Sequence, residues 1–451
     1  MNGTVEAIAL SADGQWLFAA GSFTQVNGVA SKGLAKISTT TGLRDPNFTT
    51  TVAGGTVADL ELRGDTLYLT GTFTTVRTTA RAGLAAVSAT NGSVLPMNLP
   101  ITTAFSGTTT APRKIDVDAA GTKMVVIGNF RTVGGATRPQ IAVVNLSAGG
   151  NGAVSTSWNT NAFSTMCASV FDTYMRDVEI SPDGTFFVIN TTGAWGGTGS
   201  MCDSTSRWDL TASGADVRPT WVNYTGGDTL YGIGITNQAV YVGGHQRWLN
   251  NSTPPGGDQA CPGAVAREGI AALDPLTGLP LSWNPGKERG VGTFAITPTT
   301  DALYIGHDTQ YVNGEYRPRL SAFPMTTATN PAPQLVKLPV NLLQGRNDGS
   351  VRRADLDGVA TTNVGTAPVS GLDGSQLRGA FVQNGQLYSW DSTGSVTRRS
   401  FDGTTVGSAT DLIASAKYVV APPANFTNVR AAAYDRGRLY YLRAGDNRLF
   451  W

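Results

Sequence analysis

The chain has 451 residues, 41% of them hydrophobic and only 14% charged, with 55 glycines and a formal net charge of +1. This balance excludes disorder, which needs high charge and little apolar content, and it leaves no electrostatic footprint for nucleic acid. There is no polybasic run and no apolar stretch near the ~18 residues of a spanning helix, so neither membrane attachment nor membrane insertion is expected.

From the N-terminus the chain reads as a repeat. The opening "NGTVEAIALS" lacks a basic region followed by an apolar core, so no signal peptide is read there. "VEAIALS" alternates as a half-buried strand does, "SADG" from Ser11 is a turn, and "LFAAGSF" is a second strand ending on Gly21. A polar loop leads to a third apolar run, "KGLAKIS". The succession returns as "VADLELR", "LYLTGTF" and "AGLAAVS" around Gly71, and as "RKIDVDA", "MVVIGNF" and "PQIAVVN" around Gly128. Weaker copies centre on Gly193, Gly244 and Gly306, at successive spacings of 50, 57, 65, 51 and 62 residues. In "SPDG"-type turns Asp bonds nearby amides and Gly accepts the positive φ that leaves the turn. "RDPNF", "SVLPMN" and "LPLSWNP" are candidates for a fourth, outer strand.

A three- to four-stranded antiparallel unit of this kind, repeated about every 50 residues, is a propeller blade, whose two faces are buried only against neighbours in a ring. The recurring glycine is expected where inner strands converge on the axis. The last third keeps the period in other words: "LLQGRNDGSVRRADLDG", "LYSWDSTGSVTRRSFDG" and "LYYLRAGDNRLFW" begin at Leu342, Leu387 and Leu439. The expected fold class is therefore all-β, a single β-propeller of about seven to nine blades built from antiparallel units of ~50 residues. Residues 1–330 would form six blades. Residues 331–451 would form the remaining, divergent blades of the same propeller or an appended partial sheet, with "NPAPQLVKLP" as the seam.

The three cysteines, Cys167, Cys202 and Cys261, match no zinc-ligand spacing. They read either as buried thiols or as one disulfide and a free thiol. Cys167 to Cys202 closes the shorter loop, worth about 3–4 kcal/mol in the chain-entropy account, and is the expected bridge.

"GSFTQVNGVASKGLAKISTTTG" resembles the delta-60-type repeat of bacterial β-propellers. "CDSTSRWD", "VYVGGHQRWLNN" and "REGIAALDPLTGLPLSWNPGKERGVGTFAIT" are similar to a group of exported actinobacterial propeller proteins. The resemblance extends over nearly the whole chain. It implies the propeller fold and export to an extracellular or cell-surface location, and it carries over no catalytic residue.

Six of the nine tryptophans fall between Trp158 and Trp283, together with the cysteines and His245. The spacing is longest there, so this region carries the extended loops on which binding residues gather. "GGHQRWLNN" offers His245, Arg247 and Trp248; "REGIAALD" offers Arg267 and Glu268; Trp208, with Trp195, Trp248 and Trp283, is a candidate platform for a sugar face. Each has a structural alternative: His245 packing between blades, Arg267 and Glu268 in a salt bridge or capped turn, the tryptophans in inter-blade cores. His245 and His307 read as equivalent blade positions facing one channel, too few for a metal site. Acidic residues look thinly spread, with no pair recurring on neighbouring blades. "NDG" and "DLDG" read as hairpin turns, not calcium loops. No nucleophile elbow or phosphate loop is present, so no catalytic residue, metal or cofactor is expected.

The function that follows is a non-catalytic binding or scaffold module at the cell surface, its partner a polysaccharide or a surface protein. Two alternatives stand beside it. One is a glycoside hydrolase or lyase with its site in the central channel, which requires ionisable side chains converging there. The other is a protein-interaction platform with an exposed apolar patch. The long loops are expected to flank the principal pocket.

Overall fold

The structure is a computed structural model. It describes residues 1–325 except 106, 166, 168–173, 194–198, 253 and 255–258, and beyond these 340–345, 348–356, 361–367, 371–383, 386–391, 393–401, 405–411, 429–435, 438–443, 445 and 449–450. The proposed seam and Trp195 lie outside the described residues.

Among the described residues every named element is a β-strand. Among the described residues the strands form nine principal antiparallel sheets, each a meander of consecutive strands, with short two- and three-stranded ribbons between them. The first sheet joins Val5–Leu10, Trp16–Gly21 and Leu34–Ser38. The first strands of the next five are Val57–Arg63, Ala111–Val117, Met175–Ile180, Leu230–Ile235 and Thr293–Pro298. These six first strands pack one against the next in chain order. The fold is an all-β propeller, and the first strand of each blade is its innermost. A fourth strand occurs in the third, fourth and eighth sheets. "RDPNF", "SVLPMN" and "LPLSWNP" supply no such strand; their chain segments make only the isolated bridges Ile37–Arg44, Val87–Val94 and Leu273–Pro280.

The turns follow from side-chain chemistry. In "SADG" and "SPDG" the Asp13 and Asp183 carboxylates accept from the Ser11 and Ser181 hydroxyls and from the Gln15 and Thr185 amides. Gly14 and Gly184 leave the turn at φ 69°. The core lies between blades. Leu60, Leu67 and Leu69 pack on Phe18 and Leu34 of the first sheet and on Phe48 in the loop that follows it, and Trp158, Phe163, Phe187 and Trp208 fill the layer between the third and fourth. The row leaves apolar side chains open at both ends: Ile8 and Leu10 are 62% and 57% exposed, and Leu320 of the sixth sheet is 65% exposed.

Strand register corrects the glycine alignment. Each first strand is bulged near its start, and the residue opposite the bulge is Gly21, Gly71, Gly128, Thr191, Gly244 and His307 in the six sheets. Gly193 and Gly306 are therefore off register, and His307, not Gly306, is the equivalent of Gly244. The reason for the glycine is also local. An added Cβ would stand 2.1 Å from the Thr4 carbonyl oxygen at Gly21, 2.2 Å from Thr56 O at Gly71 and 2.3 Å from Thr229 O at Gly244. In these blades the bulge carbonyl, rather than crowding at the axis, stands where a Cβ would lie, whereas the fourth and sixth sheets carry Thr191 and His307 at the same register position.

A second repeated position precedes the third strand. Gly33, Gly83, Gln140, Asp203, Gly269 and Arg319 all have φ between 46° and 76°. Glycine suits this left-handed region; Gln140, Asp203 and Arg319 hold it at a cost in strain.

Cys167 and Cys202 form a disulfide with Cα atoms 5.7 Å apart, and Cys261 is a buried free cysteine. The bridge ties the insertion after the third sheet to the segment just before the third strand of the fourth, Ser204–Asp209.

Gly71→Ala should lower stability by about 1–3 kcal/mol, because the new methyl meets backbone. Gly306→Ala, whose Cβ meets only the Ala295 methyl at 3.6 Å, should be neutral. Thermal unfolding of the two variants separates them.

Candidate functional site

Two clusters stand out, and both are organised by the bulge. The first lies at the rim, where the hairpin after each second strand emerges. In the fifth sheet the His245 amide donates to Thr229 O at 2.7 Å, which fixes the start of "HQRW". Asp228, only 3% exposed, is the hub. Its Oδ2 accepts from the Arg247 backbone N–H and Nε, each at 3.0 Å, and its Oδ1 accepts from Arg247 Nη2 at 3.0 Å and Arg289 Nη2 at 2.6 Å. Arg289 Nε also donates to His245 O at 2.7 Å. His245 Nδ1 bonds Gly290 O at 2.8 Å, and the Arg247 guanidinium sits 5.3 Å from the centre of the Trp248 ring. Arg247 and Arg289 keep 20% and 30% of their side chains exposed. Two guanidiniums are thus held in fixed directions while still facing solvent, a geometry that suits carboxylates and other planar acceptors.

Asp203 adjoins this network. It is 1% exposed, left-handed, and its Oδ2 has no hydrogen-bond partner. Burial, with the nearby Asp228 charge, pushes its carboxyl up to about 7, against the opposing pull of Arg176.

Of the residues read from the sequence, the structure brings His245, Arg247 and Trp248 to this rim. Arg267 is 7% exposed and donates to Leu281 O at 2.6 Å, so it closes a loop. Glu268 is exposed. Trp208 corrects the expectation of a sugar platform. It is wholly buried, tilted on Phe163 at 5.5 Å and stacked on Phe187 at 6.4 Å, with its indole N–H on Ser206. His307 is 4% exposed and bonded to Ser321 and Thr309; it is not the register mate of His245. Among the described residues no group of three or more His, Cys, Asp or Glu could hold a metal ion.

The second cluster escaped sequence reading. At the position one step past the bulge, the second, third and fourth sheets carry Asp59, Lys114 and Asp177; two residues on they carry Glu61, Asp116 and Glu179. Acidic residues do recur on neighbouring blades, which overturns the reading of thinly spread acids. The fifth, sixth and first sheets have Gly232, Ala295 and Ala7 at the first of these positions and Gly234, Thr297 and Ala9 at the second. Lys114 Nζ donates to Asp59 at 3.1 Å, and Arg63 reaches Glu61 at 3.0 Å and Asp116 at 3.5 Å. Three carboxylates also cross to the next blade's backbone: Asp59 accepts from Ile115 N at 3.0 Å, Asp116 from Ile180 N at 2.5 Å and Asp177 from Ile233 N at 2.9 Å. Glu179 has no donor among the described residues.

Burial is the largest cause that raises the Glu61, Asp116 and Glu179 carboxyls above the ordinary range, and like charges across the row add to it for each. Burial likewise pushes Asp177 up to about 6, although Lys114 opposes it. The alternating charges of "VADLELR", "RKIDVDA" and "RDVEISP" carried this signal once the strands were aligned on the bulge.

Two cavities, of about 340 and 470 Å³, are lined by none of His245, Arg247, Trp248 or Arg267. The long-loop region does flank the smaller of them, through Ala162, Gly199 and Met201, whereas the rim residues expected beside it line neither.

No family model matches the chain, the delta-60 type included, and no curated protein sequence matches it. Solved structures similar to it include the computationally designed Ika8 protein, at a TM-score of 0.40 and 10% identity over 100% of this chain and 96% of that one. Others are U3-55K, at 0.40 and 13% over 71% and 81%, and the RRP9 WD40 repeats, at 0.40 and 14% over 71% and 80%. At such scores the likeness carries no argument, and the fold rests on the chain's own strand pairing.

The carboxyl row sets a pH dependence. A carboxyl with a raised folded pKa favours folding while protonated, and that advantage is lost as pH rises from its unfolded value through its folded one. Thermal stability should therefore fall between about pH 4.5 and pH 8. His307, whose pKa burial lowers, works the other way below about pH 6.5. Glu61→Gln should flatten the decline; an unchanged slope would remove Glu61 as its source.

Proposed function

We propose that the chain is a non-catalytic binding propeller of the cell exterior and that its ligand contacts the rim of the fifth and sixth sheets. The observation that carries this reading is the Asp228 hub, which orients Arg247 and Arg289 at one partly exposed place. Ordering two long side chains before the ligand arrives reduces the entropic cost of binding. Trp248 and His245 add an aromatic face and a titratable ring beside them, a set suited to a saccharide with acidic or vicinal hydroxyl groups. The Cys167–Cys202 disulfide supports an oxidising compartment. No helix among the described residues is long and apolar enough to cross a membrane.

A second reading, a polysaccharide-active enzyme of the central channel, is favoured by one observation: Glu61, Asp116 and Glu179 stand in register on adjacent first strands. Asp116 already serves the next blade's backbone, so this reading rests on Glu179 as the uncommitted acid. Release of reducing ends or unsaturated products, abolished by Glu179→Gln, would support it over the binding reading.

A glycan array probed with the purified chain, with and without chelator, tests the binding reading. Retention of a saccharide class that drops about tenfold or more in Arg247→Ala/Arg289→Ala, with melting temperature preserved, is the expected result. Equal retention by the double variant would overturn the rim assignment.

A further inference from the structure

The 340 Å³ cavity is lined by none of Asp228, His245, Arg247, Trp248 or Arg289. It forms where the outermost strand of the fourth sheet, Trp221–Tyr224, meets the eighth sheet, whose second and third strands are Gln386–Asp391 and Val396–Ser400. Arg218, Thr220 and Trp221 line it from one side and Gln386, Tyr388 and Arg398 from the other. Its volume falls within the range of small-molecule sites, and junctions between packed units are where such sites occur.

The lining has a definite chemistry. It contains two guanidiniums and no carboxylate. Arg218 is already paired with Asp216, whereas Arg398 has no acidic partner among the described residues. Among the described residues the lining thus holds one guanidinium without an acidic partner. Tyr388 stacks on Phe381, with centroids 4.9 Å apart and planes 10° apart, which fixes the tilt of its ring. Its strand places it directly opposite Arg398, so the ring and the guanidinium share one face. Gln386 on the same strand adds an amide, and Thr220 a hydroxyl that Arg207 holds at 2.9 Å.

We infer that this cavity is a binding site for a uronate-type sugar, a pyranose bearing one carboxylate. The carboxylate would lie on the Arg398 fork, the apolar ring face near Tyr388, and the ring hydroxyls near Gln386 and Thr220. One negative charge matches one uncompensated guanidinium. A phosphate dianion would need both, and Asp216 already holds Arg218. This site is independent of the rim proposed above.

Isothermal titration of the full chain with oligogalacturonate tests the inference. Saturable binding is expected that weakens with added salt, as a charge-assisted contact does. Arg398→Gln should weaken it about tenfold or more, with an unchanged melting temperature. Arg398→Lys, which keeps the charge but loses the fork, should fold equally and bind several-fold more weakly. Because oligogalacturonate also fits the acidic saccharide proposed for the rim, the titration is repeated in Arg247→Ala/Arg289→Ala: binding that persists there and is lost on adding Arg398→Gln belongs to the cavity, whereas binding lost in the double variant alone belongs to the rim and overturns the cavity assignment. Absence of saturable binding, equal binding of a neutral oligosaccharide, equal competition by inorganic phosphate or a mononucleotide, or native affinity in both Arg398 variants would each overturn it.

Discussion

The first strand of every blade is an edge strand, and its free backbone N–H groups must be answered. On an open sheet such an edge pairs with another chain or remains solvated. Here the answer comes from the neighbouring blade. Asp59, Asp116 and Asp177 each reach across to an amide of the next first strand, at Ile115, Ile180 and Ile233. A buried carboxylate is costly unless hydrogen-bonded, and a buried amide is costly unless it has an acceptor. The crossing removes both penalties at once and sets the spacing between blades two to five.

That crossing explains why the charged wall is confined to part of the row. Glu61, Asp116 and Glu179 stand close enough to disfavour one another's ionised forms, and Arg63 bridges only the first two. Blades one, five and six avoid the problem with uncharged residues at the same positions: Ala7 and Ala9, Gly232 and Gly234, and Ala295 and Thr297. Glycine at 232 and 234 permits a close approach instead: an added Cβ at Gly232 would stand 3.0 Å from the Phe294 carbonyl carbon. Two devices therefore pack inner strands in one molecule, polar crossing and backbone contact, and only the former leaves ionisable groups behind.

The bulge couples this interior to the rim. It aims one carbonyl at the residue that begins each rim hairpin, as in Ser22 N to Thr4 O at 3.0 Å and His245 N to Thr229 O at 2.7 Å. Whatever side chains follow are carried in a fixed direction. In blade one they are Thr and Gln; in blade five they are His245, Gln246 and Arg247, and Asp228, next to the bulge, is placed to receive the arginine. The proposed rim site is thus a set of side-chain substitutions on a backbone device that the blades share.

The sequence by itself determined the antiparallel unit, its period, the turn chemistry of "SADG" and "SPDG" and the cysteine pair within reach of each other. All of these rest on short-range patterns: alternation, Asp-to-amide bonds, glycine at positive φ. It also placed His245, Arg247 and Trp248 on a loop just past a strand. Only the tertiary structure decided the rest. A one-residue bulge shifts register without changing hydrophobic pattern, so Gly306 looked equivalent to Gly244 although His307 is. Trp208 sits on a strand whose inward face cannot be told from its outward face until the next blade is packed against it. Asp228 and Arg289, 61 residues apart, meet through the packing of successive blades, and Arg398 joins Trp221 across two sheets. Pairings at that separation depend on how blades stack, and no local signal in the chain records it.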